Sequence, residues 1–227
     1  MNNFLEEKLL PIANKIAQNK FLSAVRDGVS ISIPFSIIGA FALIVGCFPV
    51  DAWTTLIEPY SSMIFCFSTV TLDALGIIAL LGIGYNMGVQ YGVDPITNTA
   101  ITLVTFFLAT LTEDGAIDTS VFGAGGMFCA IIVGFVVTLI YKFFVDKKIV
   151  IKLPDGVPPA IANSFVSLLP ALGAMLVAWF VRVVLGIDVN AVISALFSPL
   201  VKRYELSTWL RSIPLPRLLT MGMWYSW

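Results

Sequence analysis

Histidine is absent from this 227-residue chain, and only 12% of its residues are charged. The lack of histidine excludes a phosphohistidine, a histidine base and a histidine metal ligand anywhere on the chain. Soluble domains carry about 25% charged residues, so this low charge together with 58% hydrophobic residues predicts a membrane protein with several spans. The net charge of −1 gives no support for nucleic acid as a partner.

The three cysteines, Cys47, Cys66 and Cys129, all lie within apolar runs. Their spacing fits neither a metal site nor a disulfide framework, and buried cysteine commonly behaves as a small hydrophobic residue. The sequence shows no paired carboxylates, no nucleophile beside a base and no glycine-rich phosphate loop. It therefore predicts no catalytic residues, no cofactor and no metal on this chain.

Apolar runs of the length that a bilayer requires predict an all-α, polytopic protein with about five transmembrane helices. The predicted spans are residues 28–48, 61–91, 96–112, 121–145 and 164–186. Pro34 lies within the first span, and the second is long enough to be tilted or broken. The stretch from Asp51 to Pro59 is interpreted as a short acidic loop.

Segments of different character flank these spans. Residues 1–26 form a cytoplasmic amphipathic segment, in which apolar residues of the stretch 4–21 recur at helical spacing. This helix either lies at the membrane interface or packs onto the protein itself. Residues 27–201 form the membrane domain, which ends in an interfacial helix at 189–201. Residues 202–227 are an atypical tail.

The basic residues predict the orientation in the membrane. Lysine and arginine precede the first span and next occur in a cluster that opens near the end of the fourth span, at Lys142, Lys147, Lys148 and Lys152. The charged residues in the loops after the first and third spans are all acidic. The positive-inside rule therefore places the N-terminal segment and the loop after the fourth span in the cytoplasm.

Two polar residues are weak candidates for substrate contact. Asp73 is the one carboxylate inside a predicted span, and intramembrane acids are functional candidates by default. A helix break near a membrane surface is the other interpretation of Asp73. Asn98 belongs to a polar cluster around the turn at Gly92 to Pro95, where it either caps a helix or contacts substrate.

Small residues repeat every four positions on two of the predicted spans. They are Gly84, Gly88 and Gly92 on the second span, and Gly126, Ala130 and Gly134 on the fourth. This spacing lets helix backbones approach one another closely. It predicts helix packing, either within one subunit or between two.

A stiff cytoplasmic loop leads into the fifth span. Its motif residues are Pro154, Asp155, Gly156, Pro158, Pro159 and Asn163. The prolines fix φ at about −65°, the Asp-Gly pair favours a turn, and asparagine can cap the helix that follows. One turn would be enough to reverse the chain, so the three prolines favour a functional element over a passive connector.

Across this loop the sequence Leu-Pro-Asp-Gly-Val-Pro-Pro-Ala-Ile-Ala-Asn-Ser-Phe resembles the enzyme IIC permeases of bacterial sugar phosphotransferase systems. The likeness is to the lactose/cellobiose (diacetylchitobiose) branch. Residues 28–40, the Asn98 region and residues 122–134 also fit the early spans of that family. The resemblance covers residues 1–201, about the N-terminal half of a family member.

The resemblance implies a homodimeric sugar channel in the bacterial cytoplasmic membrane, surrounded by lipid. Its first five spans would build the dimer interface, and its second half would hold the sugar site. A β-linked disaccharide such as cellobiose, diacetylchitobiose or lactose would be translocated and then phosphorylated by a IIB subunit, which IIA recharges. Any enzymatic activity would belong to this complex.

The chain also departs from the family. The sugar-binding histidine and glutamate of the family lie in the second half and have no counterpart here. Residues 202–227 stop resembling the family and place basic residues outside, so the sequence predicts a truncated or frameshifted product that is inactive alone. A short natural protein with its own ending is the alternative.

Two other functions remain open at this point. One is a membrane scaffold that dimerises without transporting sugar. The other is half of a proton-coupled secondary transporter that uses Asp73.

Overall fold

The computed structural model describes residues 18–149, 151, 159–193 and 195. Its α-helices are α1 Lys20–Ser30, α2 Ile33–Gly46, α3 Asp51–Ile57, α4 Ser61–Asp73, α5 Leu75–Tyr91, α6 Pro95–Ala109, α7 Met127–Asp146 and α8 Pro159–Trp179. Short 3-10 turns lie at Glu58–Tyr60, Thr119–Phe122 and Ala124–Gly126, and a π-helical turn, Phe180–Val184, extends α8. The predicted all-α membrane class is confirmed.

Two compact units divide the chain, at residues 1–190 and 191–227. All of the helices named above belong to the first unit. In the second unit, residues 191–193 are helical. The predicted tail, residues 202–227, lies outside the described residues, as does most of the predicted N-terminal amphipathic helix. The predicted boundary at residue 26 falls inside α1.

A long antiparallel hairpin forms one side of the bundle. α1 packs on α5, and α2 packs on α4. Gly28 lies against Ile83, Gly39 against Leu72, and Gly46 against Phe65. Successive contacts are 11 and then 7 residues apart both along α1 and α2 and along α5 and α4. The two antiparallel arms of the hairpin therefore stay in register.

The centre of the bundle is α5, which contacts α1, α6 and α7. α6 runs antiparallel to α5, with Gly84 opposite Thr99 and Gly88 opposite Pro95. α7 runs parallel to α5: Gly134 lies beside Ile83, and the Lys142 ammonium donates to the carbonyl oxygen of Tyr91 at 3.3 Å. α8 packs on both α6 and α7, which completes the bundle.

This topology brings together lysines from distant parts of the chain. The start of α1, the end of α5 and the end of α7 meet at one end of the bundle, which carries Lys20, Lys142, Lys147 and Lys148. The loop from α6 to α7 lies at the other end and carries Glu113, Asp114 and Asp118. The fold thus gathers at two ends the charges from which the sequence predicted an orientation.

The number of spanning segments differs from the five predicted. By length and composition the described residues contain four, at Lys20–Gly46, Ala52–Tyr91, Ala124–Asp146 and Phe165–Val184. The predicted third span corresponds to α6, whose 15 residues reach about 22 Å at about 1.5 Å each. A hydrocarbon core of about 30 Å is thicker than that. α6 is apolar and largely enclosed by its neighbours.

The predicted acidic loop at residues 51–59 is wrong. α3 and a 3-10 turn occupy this stretch. The carbonyl of Val50 accepts from the amides of Trp53 and Thr54, and the Trp53 indole donates to the carbonyl oxygen of Val45 at 2.9 Å. Pro59 is tolerated in the first turn of the next helix.

Candidate functional site

Asp73 lies at a break between two helices. It is the last residue of α4, and Ala74 (φ −90°, ψ −4°) separates it from α5. The turn after residue 118 covers this break, because a Cβ on Gly76 would lie 2.5 Å from the carbonyl oxygen of Phe122. The sequence had left open whether Asp73 was buried in a span or near a surface, and the structure places it at an exposed break.

Asp73 lines a recess of about 380 Å³. Thr119, Ser120, Phe122 and Gly123 form the rest of its wall. The Ser120 hydroxyl donates to Asp118 at 2.6 Å, so one hydroxyl of the recess is already engaged. A carboxylate beside a threonine hydroxyl can accept and donate hydrogen bonds to a hydroxylated ligand.

Asn98 occupies a different environment, in the middle of the bundle. Its side chain is 0% exposed. The amide nitrogen donates to the carbonyl oxygen of Gly84 on α5 at 2.7 Å and to the Thr138 hydroxyl on α7 at 2.9 Å. The Thr138 hydroxyl in turn donates to the carbonyl oxygen of Gly134 at 2.7 Å. Asn98 therefore joins three helices through one amide group.

The capping role considered for Asn98 belongs to Asp94. The Asp94 carboxylate accepts from the amide of Thr97 at 2.8 Å, and Pro95 occupies the first turn of α6. Asn98 stands one turn further along, where its side chain points into the core. The side-chain oxygen Oδ1 of Asn98 and the Thr105 hydroxyl have no hydrogen-bond partner among the described residues. Contact between Asn98 and sugar remains a prediction.

Three of the glycines lie at contacts between helices of the same chain. A Cβ on Gly84 would lie 3.0 Å from the Cα of Thr99, and one on Gly88 would lie 2.7 Å from the Cα of Pro95. A Cβ on Gly134 would meet Ile83 at 3.0 Å. These glycines therefore allow α5, α6 and α7 to approach closely.

Gly92 and Gly126 do not lie at such contacts. Gly92 ends α5 in the left-handed region with φ +73°, and no atom lies within 4 Å of the position of its Cβ. Gly126 is pressed against the carbonyl of Val121 in the turn before α7. Glycines at helix contacts and glycines at helix ends both follow the four-residue spacing. The spacing alone therefore did not distinguish the two kinds of position.

Most of the predicted cytoplasmic loop lies outside the described residues. This applies to Pro154, Asp155, Gly156 and Pro158. Pro159 begins α8, and Asn163 lies inside α8. The helix therefore starts before the residue that was predicted to cap it.

Arg182 was missed by the sequence analysis. It lies in the π-helical turn after α8, and its Nε donates to the carbonyl oxygen of Leu111 at 2.6 Å. That carbonyl follows the end of α6, where the last carbonyls of a helix lack intrahelical donors. A single arginine in an otherwise apolar span was the available signal.

The described residues hold no group of three or more histidine, cysteine, aspartate or glutamate side chains placed to bind a metal ion. Their polar groups serve two purposes. Those at Asn98, Thr102 and Thr138 bond to neighbouring helices or to their own. Asp73 and Thr119 line the recess described above.

Comparison with known proteins gives a consistent result. The family described as "Phosphotransferase system, EIIC" matches residues 26–213. The chain is 35% identical over 203 residues to the lichenan permease IIC component of Bacillus subtilis, a match that covers 81% of this chain and 45% of that protein. It is 36% identical over 200 residues to the cellobiose-specific EIIC component of Geobacillus stearothermophilus, with 80% and 44% covered.

A solved structure shares the fold. The transporter ChbC, the IIC component from the N,N'-diacetylchitobiose-specific phosphotransferase system, superposes with a TM-score of 0.80 at 32% sequence identity. The superposition covers 87% of this chain and 51% of ChbC. The chain thus spans about half the length of the relatives that it matches.

Proposed function

This chain belongs to the phosphotransferase system EIIC family, and we propose that it forms the N-terminal part of a permease for a β-linked disaccharide. The observation that carries the proposal is the match of residues 26–213 to the family. Relatives named for lichenan, cellobiose and diacetylchitobiose support the choice of sugar class. IIB would phosphorylate the delivered sugar, IIA would recharge IIB, and the permease would be a homodimer in the bacterial cytoplasmic membrane.

The part of the permease formed by these residues is mainly structural. A disaccharide site needs several convergent polar groups in a largely enclosed pocket. Within the described residues, Asn98 and Thr138 bond to neighbouring helices. Asp73, in its exposed recess, remains the better candidate for a sugar contact. We therefore propose that uptake requires the region corresponding to the other half of the relatives.

Complementation tests this proposal. Cells that lack their own permease would express IIA, IIB and this chain, either alone or with the half of the Bacillus subtilis lichenan permease that it does not match. We expect phosphoenolpyruvate-dependent cellobiose uptake only when both pieces are present. The intact relative serves as the positive control, and maltose, an α-linked disaccharide, should not be taken up.

Two outcomes would contradict the proposal. Uptake by this chain alone would place a complete sugar pathway within it. Absence of uptake with both pieces in the membrane, while the intact relative works, would remove the permease function. Asp73→Asn in the complementing pair tests the recess: it should raise KM with little effect on the amount of protein in the membrane.

The scaffold alternative makes a different prediction in the same cells. A chain that only dimerises should lower uptake by an intact relative as its dose rises, because mixed dimers would contain one complete pathway. A proton-coupled half-transporter would instead give sugar uptake that collapses with the proton gradient and does not require IIA or IIB. Uptake that depends on IIA and IIB excludes this second alternative.

We propose that the lysine-bearing end of the bundle faces the cytoplasm. Single cysteines at Asp114 and Lys147, introduced into a chain without Cys47, Cys66 and Cys129, should label from opposite sides of the membrane. Labelling of both from outside intact cells would contradict this orientation.

Replacing Pro158 and Pro159 by alanine in a full-length relative with this stretch should slow sugar phosphorylation if the loop is a functional element.

A further inference from the structure

α7 and α8 leave an apolar groove between them. The deep part of the groove, about 240 Å³, has a floor of buried residues that includes Val137 and Ala174, and Thr105 is the only polar residue in its lining. A wider section continues toward the end of α7, between Phe143, Phe144 and Gly173. Val177 lines both sections, so the two adjoin at this residue, and together they are called the groove here.

The length of the groove matches one leaflet of a bilayer. Its lining on α7 runs from Ile132 to Phe144. Twelve steps of about 1.5 Å give about 18 Å. Half of a hydrocarbon core of about 30 Å is about 15 Å. An extended acyl chain from a single leaflet would therefore fill the groove from end to end.

Two lysines follow the last residues of α7 that line this groove. The amide of Lys147 donates to the carbonyl oxygen of Phe143 at 3.0 Å, so Lys147 lies one turn above Phe143 on the same face of α7. Lys148 follows with φ +57°, which turns the chain at this point. Asp146 is paired with Lys142 at 3.5 Å on a neighbouring face, and among the described residues neither Lys147 nor Lys148 forms an ion pair.

From this arrangement we infer that the groove is a binding site for an anionic phospholipid. One acyl chain lies between α7 and α8, and the headgroup phosphate lies at Lys147 and Lys148. The apolar lining alone would accept any lipid tail, a second copy of the chain or another segment of a permease. The two lysines at the open end favour a lipid with net negative charge.

The test uses the purified 227-residue chain in mild detergent, with phosphatidylglycerol and phosphatidylcholine of the same acyl composition as probes. Native mass spectrometry measures how much of each lipid the chain retains. Each lysine near a membrane surface contributes about a fivefold factor in affinity for anionic lipid. Lys147→Gln with Lys148→Gln should therefore weaken phosphatidylglycerol binding by about 25-fold and leave phosphatidylcholine unchanged.

A matched pair of controls fixes the location. Lys20→Gln with Arg26→Gln removes the same charge from α1, which packs on α5 and does not line the groove. This pair should alter binding by less than twofold. Val177→Trp fills the groove from a position that is 45% exposed, whereas Leu172→Trp adds the same ring to α8 at a position 50% exposed and outside the groove.

Val177→Trp should reduce retention of both lipids by about tenfold, and Leu172→Trp should not. Phosphatidylglycerol with a diazirine on its acyl chain should label peptides around Val177 in the unmodified protein, which locates the tail even if the tryptophan variant folds poorly. Equal retention of the two lipids, an unchanged affinity after loss of both lysines, or labelling away from α7 and α8 would overturn the site. Loss of dimer cross-linking in Val177→Trp with lipid retention unchanged would assign the groove to a second copy instead.

Discussion

α5 and the hairpin of α2 and α4 are similarly apolar in sequence, yet they are buried very differently. α5 contributes nine buried residues, whereas α2 contributes Gly39 and Ala42, and α4 contributes Ser68. α5 lies between α1, α6 and α7, and α2 and α4 pack mainly on each other. Large side chains such as Phe41, which is 67% exposed, line the outside of the hairpin.

The difference shows what determines burial in a membrane protein. Lipid tails are as apolar as leucine, so hydrophobicity alone does not bring helices together. Helices are brought together by interhelical hydrogen bonds and by close approach of their backbones. α5 has both, through Gly82, Gly84 and Gly88 and through Asn98. The hairpin has fewer of each, and its outer face is suited to lipid.

The largest difference between the two regions should appear at a pair of glycines. Gly82→Ala would press a methyl group onto the backbone of Gly28, whereas Gly39→Ala would meet the side chains of Thr71 and Leu72. Backbone cannot move aside, so Gly82→Ala should lower the free energy of unfolding by about 3 kcal/mol, and Gly39→Ala by about 1 kcal/mol or less. Unfolding by sodium dodecyl sulfate in mixed micelles measures both.

Gly125→Ala is the control for that comparison, because no atom lies within 4 Å of the position of its Cβ. It should leave the unfolding curve unchanged. Equal losses at Gly82 and Gly39 would mean that the hairpin is packed as tightly as the centre.

The next largest effect should come from the amide that joins three helices. Asn98→Ala removes hydrogen bonds to Gly84 and Thr138 and leaves a cavity, so we expect a loss of about 2 kcal/mol. Asn86 is the matched control, because its amide donates to the carbonyl oxygen of Gly82 within its own helix. Asn86→Ala should cost less than about 0.5 kcal/mol.

Arg182 tests the attachment of α8 to α6. Arg182→Met keeps much of the side-chain length but loses the hydrogen bond to Leu111, and should lower the free energy of unfolding by about 1 kcal/mol. Arg26→Met is the control, since its partner Asp27 is the next residue on the same exposed face. The same unfolding assay applies, and an equal response to both changes would remove the proposed link between α6 and α8.

The smallest effect is expected within the hairpin. Ser68→Ala removes a hydrogen bond of 3.1 Å to the carbonyl oxygen of Gly39, and should cost about 0.5 kcal/mol. Ser36→Ala, which loses a bond to Ile33 in its own helix, should cost nothing measurable. A loss at Ser68 as large as that at Asn98 would contradict the contrast between the two regions.

Much of the fold could be predicted because the signals were local. The length of the apolar runs predicted the helices, and residues 61–91 contained the break that the structure places at Ala74. α3 was missed because its acids and proline favour a loop, while the bonds that stabilise it reach back to Val45 and Val50. α6, predicted as the third span, is shorter than the other candidates but runs antiparallel to α5 between the two ends of the bundle.

The candidate site depended on contacts that no local pattern contains. The sequence groups Asn98 with the polar residues near it in the chain, but its hydrogen-bond partner Thr138 is 40 residues away. Gly84 and Gly88 were recognised as packing residues, yet their spacing did not identify α6 as the helix they approach. The spacing also included Gly92, which ends the helix in a conformation that favours glycine.

The sequence by itself determined the membrane class, the charge separation along the chain and the likeness to sugar permeases, because composition and order carry that information directly. Only the tertiary structure decided which glycines meet which backbones, how one buried amide joins three helices, and where α7 and α8 leave a groove that ends at two lysines. These features depend on the distance between residues far apart in the chain. In a membrane, that distance is set by packing between helices that are all comparably apolar.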